Sequence, residues 1–526
     1  MYFPMSRRPW ASAMVTGVAA GAVTLGVAEL AALALARTAG SEGTPSPLLA
    51  VGGAFVDRTP PALKDFAIAT FGTNDKIALF VGMALTLTLV CAAIGLLGTP
   101  RADGRDGLRL LGLALFALVG VVGVTAVLSR PGAAPLDTAP TVLGVIIGLG
   151  VLNWLWGRLR GASREGAAAP SRRAVLAWGG GLTVLGAIGM VAGRMLNQAG
   201  EVVQAARQGL QVPKAPEPVT VPDGADLDIQ GLDPYISPND DFYRIDTALS
   251  VPQVDPGTWR LRVTGMVDQE VEIDFAELLE QDMIETLVTL TCVSNTVGGN
   301  LVDNALWTGW PIRELLDRAG VSPDADMILS TSVDGWTAGT PIEALTDERN
   351  AILAVAMNGE PLPPQHGFPV RMVVPGLYGY VSATKWVTEL KVTTFAADEG
   401  YWTPRGWAER GPIKTQSRID VPSRDGQVEA GEVVVAGVAW AQTRGISMVE
   451  VQVDEGDWQE ATLAEQPSID SWVQWSLPWQ AEEGEHTIAV RATDGDGQTQ
   501  TEELAQPVPD GASGWHTIDV RVAVAG

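Results

Sequence analysis

Thr289-Leu290-Thr291-Cys292-Val293-Ser294-Asn295-Thr296-Val297-Gly298-Gly299 decides how this chain is read. A β-rich run leads into a cysteine, and small, polar and glycine residues follow, which is how a strand ends in a tight loop. The 526 residues hold two cysteines, too few for a disulfide framework, and the other, Cys91, lies in an apolar run. A lone cysteine is most often a small buried hydrophobe. In a polar loop it is also a candidate nucleophile or a soft thiolate for a metal. A cysteine nucleophile needs a histidine base, and the chain has three histidines, His366, His486 and His516. Two of them fall in the β-rich C-terminal part. That leaves His366, in Pro363-Pro364-Gln365-His366-Gly367-Phe368-Pro369-Val370-Arg371, so a Cys292/His366 hydrolase is one reading. A multi-cysteine or histidine-rich metal centre is excluded.

Outward from this centre the composition divides. The chain is 46% hydrophobic and 18% charged with mean hydropathy +0.16, which excludes a disordered or fibrous chain and points to a membrane portion. Residues 1–200 hold 16 Lys and Arg against 9 Asp and Glu; residues 201–526 hold 19 against 52. So acidic a back half argues against nucleic-acid binding, which needs Lys and Arg for phosphates. Five apolar stretches, 12–36, 77–98, 108–129, 139–157 and 174–192, approach the about 20 residues that span a bilayer. The first holds a charge before its end, Glu29. Basic groups set orientation. Arg7 and Arg8 precede span 1, Arg101, Arg105 and Arg109 follow span 2, and Arg158, Arg160, Arg164, Arg172 and Arg173 precede span 5. The other loops mix Arg58, Lys64 and Arg130 with Asp57, Asp65, Asp75 and Asp137. A cytoplasmic N-terminus puts all three basic groups inside, and five spans then place everything after about residue 195 outside, in a multi-pass cell-membrane protein in contact with lipid. Ser171-Arg172-Arg173-Ala174-Val175-Leu176 resembles a twin-arginine export signal, although two arginines before a span are also ordinary positive-inside charges. Residues 1–200 contain no histidine and the chain has no Cys-x-x-Cys-His, so no haem is expected in it.

Residues 1–195 are therefore read as a transmembrane region and 196–232, with Val212-Pro213-Lys214-Ala215-Pro216-Glu217-Pro218, as a stiff tether. Residues 233–400 alternate short strands with helical pieces such as Phe275–Glu280 and Ile312–Gly320, a mixed α+β domain, and 401–427 read as a connection. From 428 to 526 the spaced runs Val433–Trp440, Met448–Val453, Trp472–Leu477, His486–Thr493 and Trp515–Val524 read as an all-β immunoglobulin-like sandwich without its disulfide.

Four segments together resemble the sulfite oxidase family of molybdenum enzymes. They are Pro238-Asn239-Asp240-Asp241-Phe242-Tyr243-Arg244-Ile245-Asp246 with Trp259–Gly265; the cysteine segment with Trp307-Thr308-Gly309-Trp310-Pro311; Met357-Asn358-Gly359-Glu360-Pro361-Leu362-Pro363-Pro364 with His366–Arg371 and Pro375-Gly376; and Ser382-Ala383-Thr384-Lys385-Trp386-Val387. Ala492-Thr493-Asp494-Gly495-Asp496-Gly497 and Gly514-Trp515-His516 echo that family's dimerisation-type sandwich, so the resemblance covers about residues 233–525. It implies a molybdopterin domain in which Cys292 is the thiolate ligand of molybdenum and the pterin brings two further sulfurs. His366, Arg371 and Lys385 match positions that meet the pterin's phosphate, and Asn239, Tyr243, Ser332 and Ser382 match further pterin contacts. Arg244 matches the arginine beside the metal. The chain departs from the family in three places: Ile245-Asp246 replace an asparagine and histidine, Thr296 and Val297 stand where arginines are expected, and Trp407 stands where a tyrosine is expected. A carboxylate in place of cations weakens an anion site. The expectation is a membrane-anchored molybdenum oxidoreductase that transfers an oxygen atom to or from a small substrate, sulfite-like, a sulfoxide or an N-oxide. It would use a separate electron-transfer partner and a homodimer through the sandwich. The alternative is a non-catalytic membrane receptor or scaffold that retains the fold.

Overall fold

A computed structural model describes residues 9–39, 44–60, 75–98, 107–130, 132–161, 172–195, 198–424 and 426–523, with isolated positions between 61 and 74. The chain forms two compact units, Met1–Gln198 with Ala248–Ser250, and Ala199–Thr247 with Val251–Gly526.

Among the described residues the first unit is helical: α1 (Pro9–Ala39), α2 (Pro47–Arg58), α3 (Asp75–Leu96), α4 (Gly107–Leu128), α5 (Ala139–Gly161) and α6 (Arg172–Met195). Four stretches are long and apolar enough to cross a bilayer: Trp10–Leu35, Lys76–Leu96, Leu108–Leu128 and Pro135–Arg160. The fifth expected span, 174–192, lies in α6, whose described apolar stretch is Leu176–Gly189. Helices α1 and α6 approach closely through small residues. A Cβ on Gly26 would lie 2.5 Å from the carbonyl oxygen of Gly186. Glu29 is buried and accepts hydrogen bonds from Ser46 Oγ at 2.9 Å and from the Leu48 N–H at 3.2 Å, tying α1 to the start of α2. Arg7, Arg8, Lys64, Asp65, Arg101, Arg105, Arg164 and Ser171, with the side chains of Arg172 and Arg173, lie outside the described residues, as do residues 196–197 and Val524.

The second unit begins in α7 (Gln198–Gly209), which buries Val203 and donates from Arg207 Nε to the carbonyl oxygens of Pro361 and Leu362 at 3.1 and 3.0 Å. The proline-rich run is not a free spacer. Val212, Val219 and Val221 pack on the domain core, and Glu285 accepts the Val219 N–H at 2.9 Å. Alternate valines gave it a buried side that proline density alone conceals.

The catalytic-type domain contains, in chain order, β1 (Arg260–Gly265), β2 (Val271–Asp274), β3 (Ile284–Thr291), β4 (Val302–Pro311), β5 (Met327–Ser332), β6 (Thr337–Pro341), β7 (Ile352–Met357), β8 (Glu360–Pro361), β9 (Arg371–Val373) and β10 (Val387–Thr393). One sheet has the order β2-β1-β10-β5-β6, and β1 and β10 run parallel. The other has the order β3-β4-β7-β8, with β9 also on β7. Between them lie the helices α8 (Phe275–Leu279) and α9 (Ile312–Ala319) in chain order, the latter closed by Gly320 at φ +70° as its sequence implies. Asn358 at φ +54° and Gly359 at φ +76° make the tight hairpin from β7 to β8.

The C-terminal part is a two-sheet β-sandwich. Its strands are β11 (Gln416–Val421), β12 (Gln427–Glu429), β13 (Gly431–Trp440), β14 (Ile446–Val453), β15 (Gln459–Glu460), β16 (Thr462–Leu463), β17 (Val473–Ala481), β18 (Gly484–Asp494) and β19 (His516–Ala523). They form sheets β11-β13-β17-β16 and β12-β19-β18-β14-β15 around Val435, Val449, Trp475, Val490 and Val520. Strand β11 arises inside the stretch expected to be a connection. Its polar run Gln416-Ser417-Arg418 hides it from an apolar pattern, yet all three are buried.

Two side chains of the sandwich hold the loop that follows Cys292. Arg418, 6% exposed, pairs with Asp420 at 2.5 Å and with Asp233, and donates to the Gly299 carbonyl oxygen at 3.1 Å. His516 lies so close over Gly298 that a Cβ there would sit 2.2 Å from its ring, and Gly298 has φ +72°. His516 Nδ1 accepts the Ile419 N–H at 3.0 Å. Burial, then Arg418 and Arg424, push its pKa down to about 4. An imidazole in the unfolded chain titrates near 6.5, so the unfolded state takes up a proton across this window that the folded state refuses. Stability therefore falls as pH drops from 6.5 to 4, by on the order of 1–3 kcal/mol. Replacing His516 with Asn, whose amide oxygen accepts the same N–H, is expected to make that acid loss shallower in thermal unfolding followed by tryptophan fluorescence.

Candidate active site

Cys292 follows the last residue of β3, where the strand gives way to a loop closed by its own hydrogen bonds. Its N–H donates to the Leu301 carbonyl oxygen at 2.9 Å, and Asn295 N–H donates back to the Cys292 carbonyl oxygen at 3.0 Å. Asn295 Oδ1 accepts the Leu301 N–H at 2.9 Å. The cysteine is 9% exposed, and burial pushes its thiol pKa up. A thiolate there needs a cation beside it.

Three other segments converge on one another. The loop 238–246 carries Asn239, Tyr243 and Arg244. Asn239 Nδ2 donates to the Met357 carbonyl oxygen at 3.2 Å, and its Oδ1 accepts from Asn358 Nδ2 at 2.9 Å. The Asn239 carbonyl oxygen lies 3.2 Å from His366 Nε2 and can only accept, which assigns the imidazole proton to Nε2. Burial, then Arg371 and Lys385, push the His366 pKa down to about 3, so the ring is neutral at pH 7. Phe242 packs edge-on to His366 at 5.5 Å.

Arg371 is 5% exposed. It donates to the carbonyl oxygens of Met372 at 3.3 Å and His366 at 3.2 Å, and its guanidinium lies 5.0 Å from the centre of the Trp307 ring. Among the described residues no carboxylate pairs with it, and burial lowers its pKa to about 10. Lys385 bridges to Arg371 through the backbone, and its Nζ donates to Asp246 at 2.7 Å and to the Gln365 carbonyl oxygen at 3.2 Å. Burial lowers the Lys385 pKa to about 8 against the opposing pull of Asp246. Asp246 also accepts from Arg244 Nε at 2.9 Å.

Tyr243 ties this cluster to the cysteine. Its hydroxyl pKa is held well up by burial first and then by Cys292, with Arg371 opposing. Its N–H donates to Asp303 at 2.7 Å. Ser332, at the end of β5, is buried with an unpartnered Oγ and stands opposite Val387, two residues beyond Lys385. Ser382 is differently placed: its hydroxyl donates to the Tyr378 carbonyl oxygen at 3.0 Å and holds a turn. Trp407 packs against Tyr380 at 5.8 Å and Trp402 at 6.4 Å.

Sequence reading missed two members of this neighbourhood. Asp303 holds the Tyr243 backbone, and burial pushes its pKa up to about 6; its signal was a lone carboxylate inside the β4 run. Trp307 was quoted only as a motif residue, and nothing in its spacing reveals that it carries Arg371 on its face.

The chemistry of these groups fits an anionic cofactor. A buried guanidinium without a counter-ion, beside an ammonium and an orphan hydroxyl, is unfavourable until an anion arrives.

The comparisons agree. Residues 248–402 match the family described as oxidoreductase molybdopterin binding domain, and residues 411–523 match the Mo-co oxidoreductase dimerisation domain. Mitochondrial sulfite oxidase of Mus musculus is 31% identical over 343 residues, covering 55% of this chain and 62% of its own. The uncharacterized oxidoreductase YuiH of Bacillus subtilis (strain 168) is 34% identical over 157 residues, covering 30% of this chain and 76% of its own. The solved sulfane dehydrogenase SoxCD from Paracoccus pantotrophus aligns with 60% of this chain and 91% of its own at TM-score 0.49 and 23% identity. The two matched domains are those of molybdopterin-dependent oxidoreductases. The chain belongs to the sulfite oxidase family, with Mo-molybdopterin as its cofactor, and spans 62% of the length of the mouse enzyme it matches.

Replacing Arg371 with Met is expected to act in opposite directions on two measurements. Pterin content, read by fluorescence after release and oxidation, should fall at least about tenfold, because a charged hydrogen bond to phosphate is lost. The melting temperature of cofactor-free protein should hold or rise, since an uncompensated buried charge is removed.

Proposed function

We propose that this protein is a membrane-anchored molybdenum-cofactor oxidoreductase that transfers an oxygen atom to or from a small extracytoplasmic substrate, with Cys292 as the protein ligand of molybdenum. The observation that carries the reading is the convergence of Arg371, Lys385, His366 and the loop 239–246 in one cation-rich cluster, with Tyr243 close enough to Cys292 to feel its charge. A soft thiolate suits molybdenum, and one suffices when the cofactor brings two sulfurs.

The chain's residues divide the work. Cys292 holds the metal, and the loop bonds from Leu301 and Asn295 fix where its sulfur points. Arg371 and Lys385 receive the pterin's phosphate, the first as a planar fork and the second as a point charge. Asn239 fixes the tautomer of His366, leaving Nδ1 as an acceptor for a pterin N–H, and Ser332 offers a free hydroxyl. Tyr243 stands between this cluster and Cys292, and Ser382 enters as a pterin contact on the family resemblance alone. Arg244, 37% exposed, stands at the rim, where it orients the substrate's oxygen. When bound, the molybdenum centre supplies the two-electron change that oxygen-atom transfer requires.

The remaining assignments rest on chain-level features. The close packing of α6 on α1 supports counting it as a fifth span in a multi-pass cell-membrane topology, which puts the catalytic domain outside a cytoplasmic N-terminus. Arg172-Arg173 supports export of that domain already folded. The sandwich, read as immunoglobulin-like, supports a homodimer through the matched dimerisation domain. Residues 1–200 contain no histidine for a bis-histidine haem, which supports a separate electron-transfer partner.

Elemental analysis of the detergent-purified protein is expected to give about one molybdenum per chain, as one cysteine ligand holds one metal. Changing Cys292 to Ser should remove both the metal and redox turnover. A Cys292→Ser protein that keeps metal and activity overturns the ligand assignment. Changing Arg172 and Arg173 to Lys should leave the domain inaccessible to added protease on intact cells, and normal exposure would dismiss the export signal.

A further inference from the structure

Asp246 is a buried carboxylate inside the cationic pocket, 5% exposed at its side chain. It accepts from Lys385 Nζ at 2.7 Å and from Arg244 Nε at 2.9 Å. It therefore joins the cation that meets the cofactor to the cation that faces the substrate. The charges can be counted from the residues in place. Arg244, Arg371 and Lys385 are positive, His366 is neutral, and Asp246 is negative, which leaves two positive charges. A phosphomonoester near neutral pH carries about −1.5 to −2, so a bound pterin phosphate cancels them. Among the described side chains of this cluster no further positive charge then remains for a second anion. Thr296 and Val297, which follow the cysteine, add none.

We propose that Asp246 is the specificity-determining residue of this site, neutralising Arg244 so that the pocket takes a neutral, polarised oxo compound, of the S=O or N–O type, rather than a dianionic oxyanion. Arg244 keeps its N–H donors for the substrate's oxygen, but its net charge is already answered. A dianion brought to this rim would meet the carboxylate within a few ångströms and find no free cation. This inference rests on the molybdopterin reading above, and its test separates the two.

The holoprotein and its Asp246→Asn variant are purified in detergent, and molybdenum and pterin are measured in each. Two unreactive probes of similar tetrahedral shape, sulfate and dimethyl sulfone, are then titrated at low salt against the molybdenum absorption band. In the wild type, dimethyl sulfone is expected to bind more tightly than sulfate. In Asp246→Asn the sulfate dissociation constant should fall about tenfold, corresponding to one charge interaction of about 1.4 kcal/mol. Dimethyl sulfone affinity should change less than about twofold, because a neutral probe does not sense that charge. A residue that only shaped the pocket would shift both probes together. Unchanged sulfate affinity in a metal-loaded variant overturns the proposal, as does a wild type that prefers sulfate. If the variant loses its metal, Asp246→Ser is measured in its place; loss of metal in both makes Asp246 a scaffold residue and overturns the proposal. A wild type without metal or pterin overturns the molybdopterin reading first, and the inference with it.

Discussion

A positive charge held out of water organises this site. Removing a guanidinium from solvent without a counter-ion costs several kcal/mol, and the surrounding residues show how the fold tolerates Arg371. The Trp307 face lies beneath it, and two carbonyl oxygens take its N–H groups. Burial, and after it the same field, keeps His366 neutral, and Lys385 is held against Asp246. Each of these arrangements makes sense as partial compensation. The β7 sheet supplies the rigid floor that keeps the compensation incomplete, because Ile352–Met357 is buried along its whole length and Arg371 pairs with Ala354 across it.

The exterior gives the opposite impression. Residues 201–526 carry an excess of 33 acidic side chains, which alone would suggest a site hostile to anions. A sum over surface charge says nothing about a pocket whose walls exclude water, since nearby fixed charges dominate there and distant ones are screened. The contrast also bounds what approaches. Long-range attraction favours cationic or neutral visitors, while the buried cations act only on groups already inside.

Much of the centre was legible because its chemistry is concentrated in rare residues. A chain with two cysteines and three histidines leaves few candidates, and Cys292, His366, Arg371 and Lys385 could be named from the order of four segments. The Asn358-Gly359 hairpin and the Gly320 cap were local signals that the fold obeys. Other features were not readable. Strand β11 is polar in sequence and buried because it pairs with β13 at one edge of the sandwich, where Arg418 reaches the cysteine loop. The valines among the prolines of residues 212–221 find a surface that only the tertiary structure supplies. The pairing of Asp246 with both Arg244 and Lys385 joins positions 139 residues apart, beyond any local pattern.

The clasp on the cysteine loop has a consequence for how the protein is made. Gly298 and Gly299 are held by His516 and Arg418, both synthesised more than a hundred residues after Cys292. Until those residues emerge and the sandwich closes, the loop lacks the two contacts that set its path. A chain still short of those residues thus presents Cys292 with its loop unclasped. The order of synthesis makes the final path of the cysteine loop one of the last local features of this unit to be set.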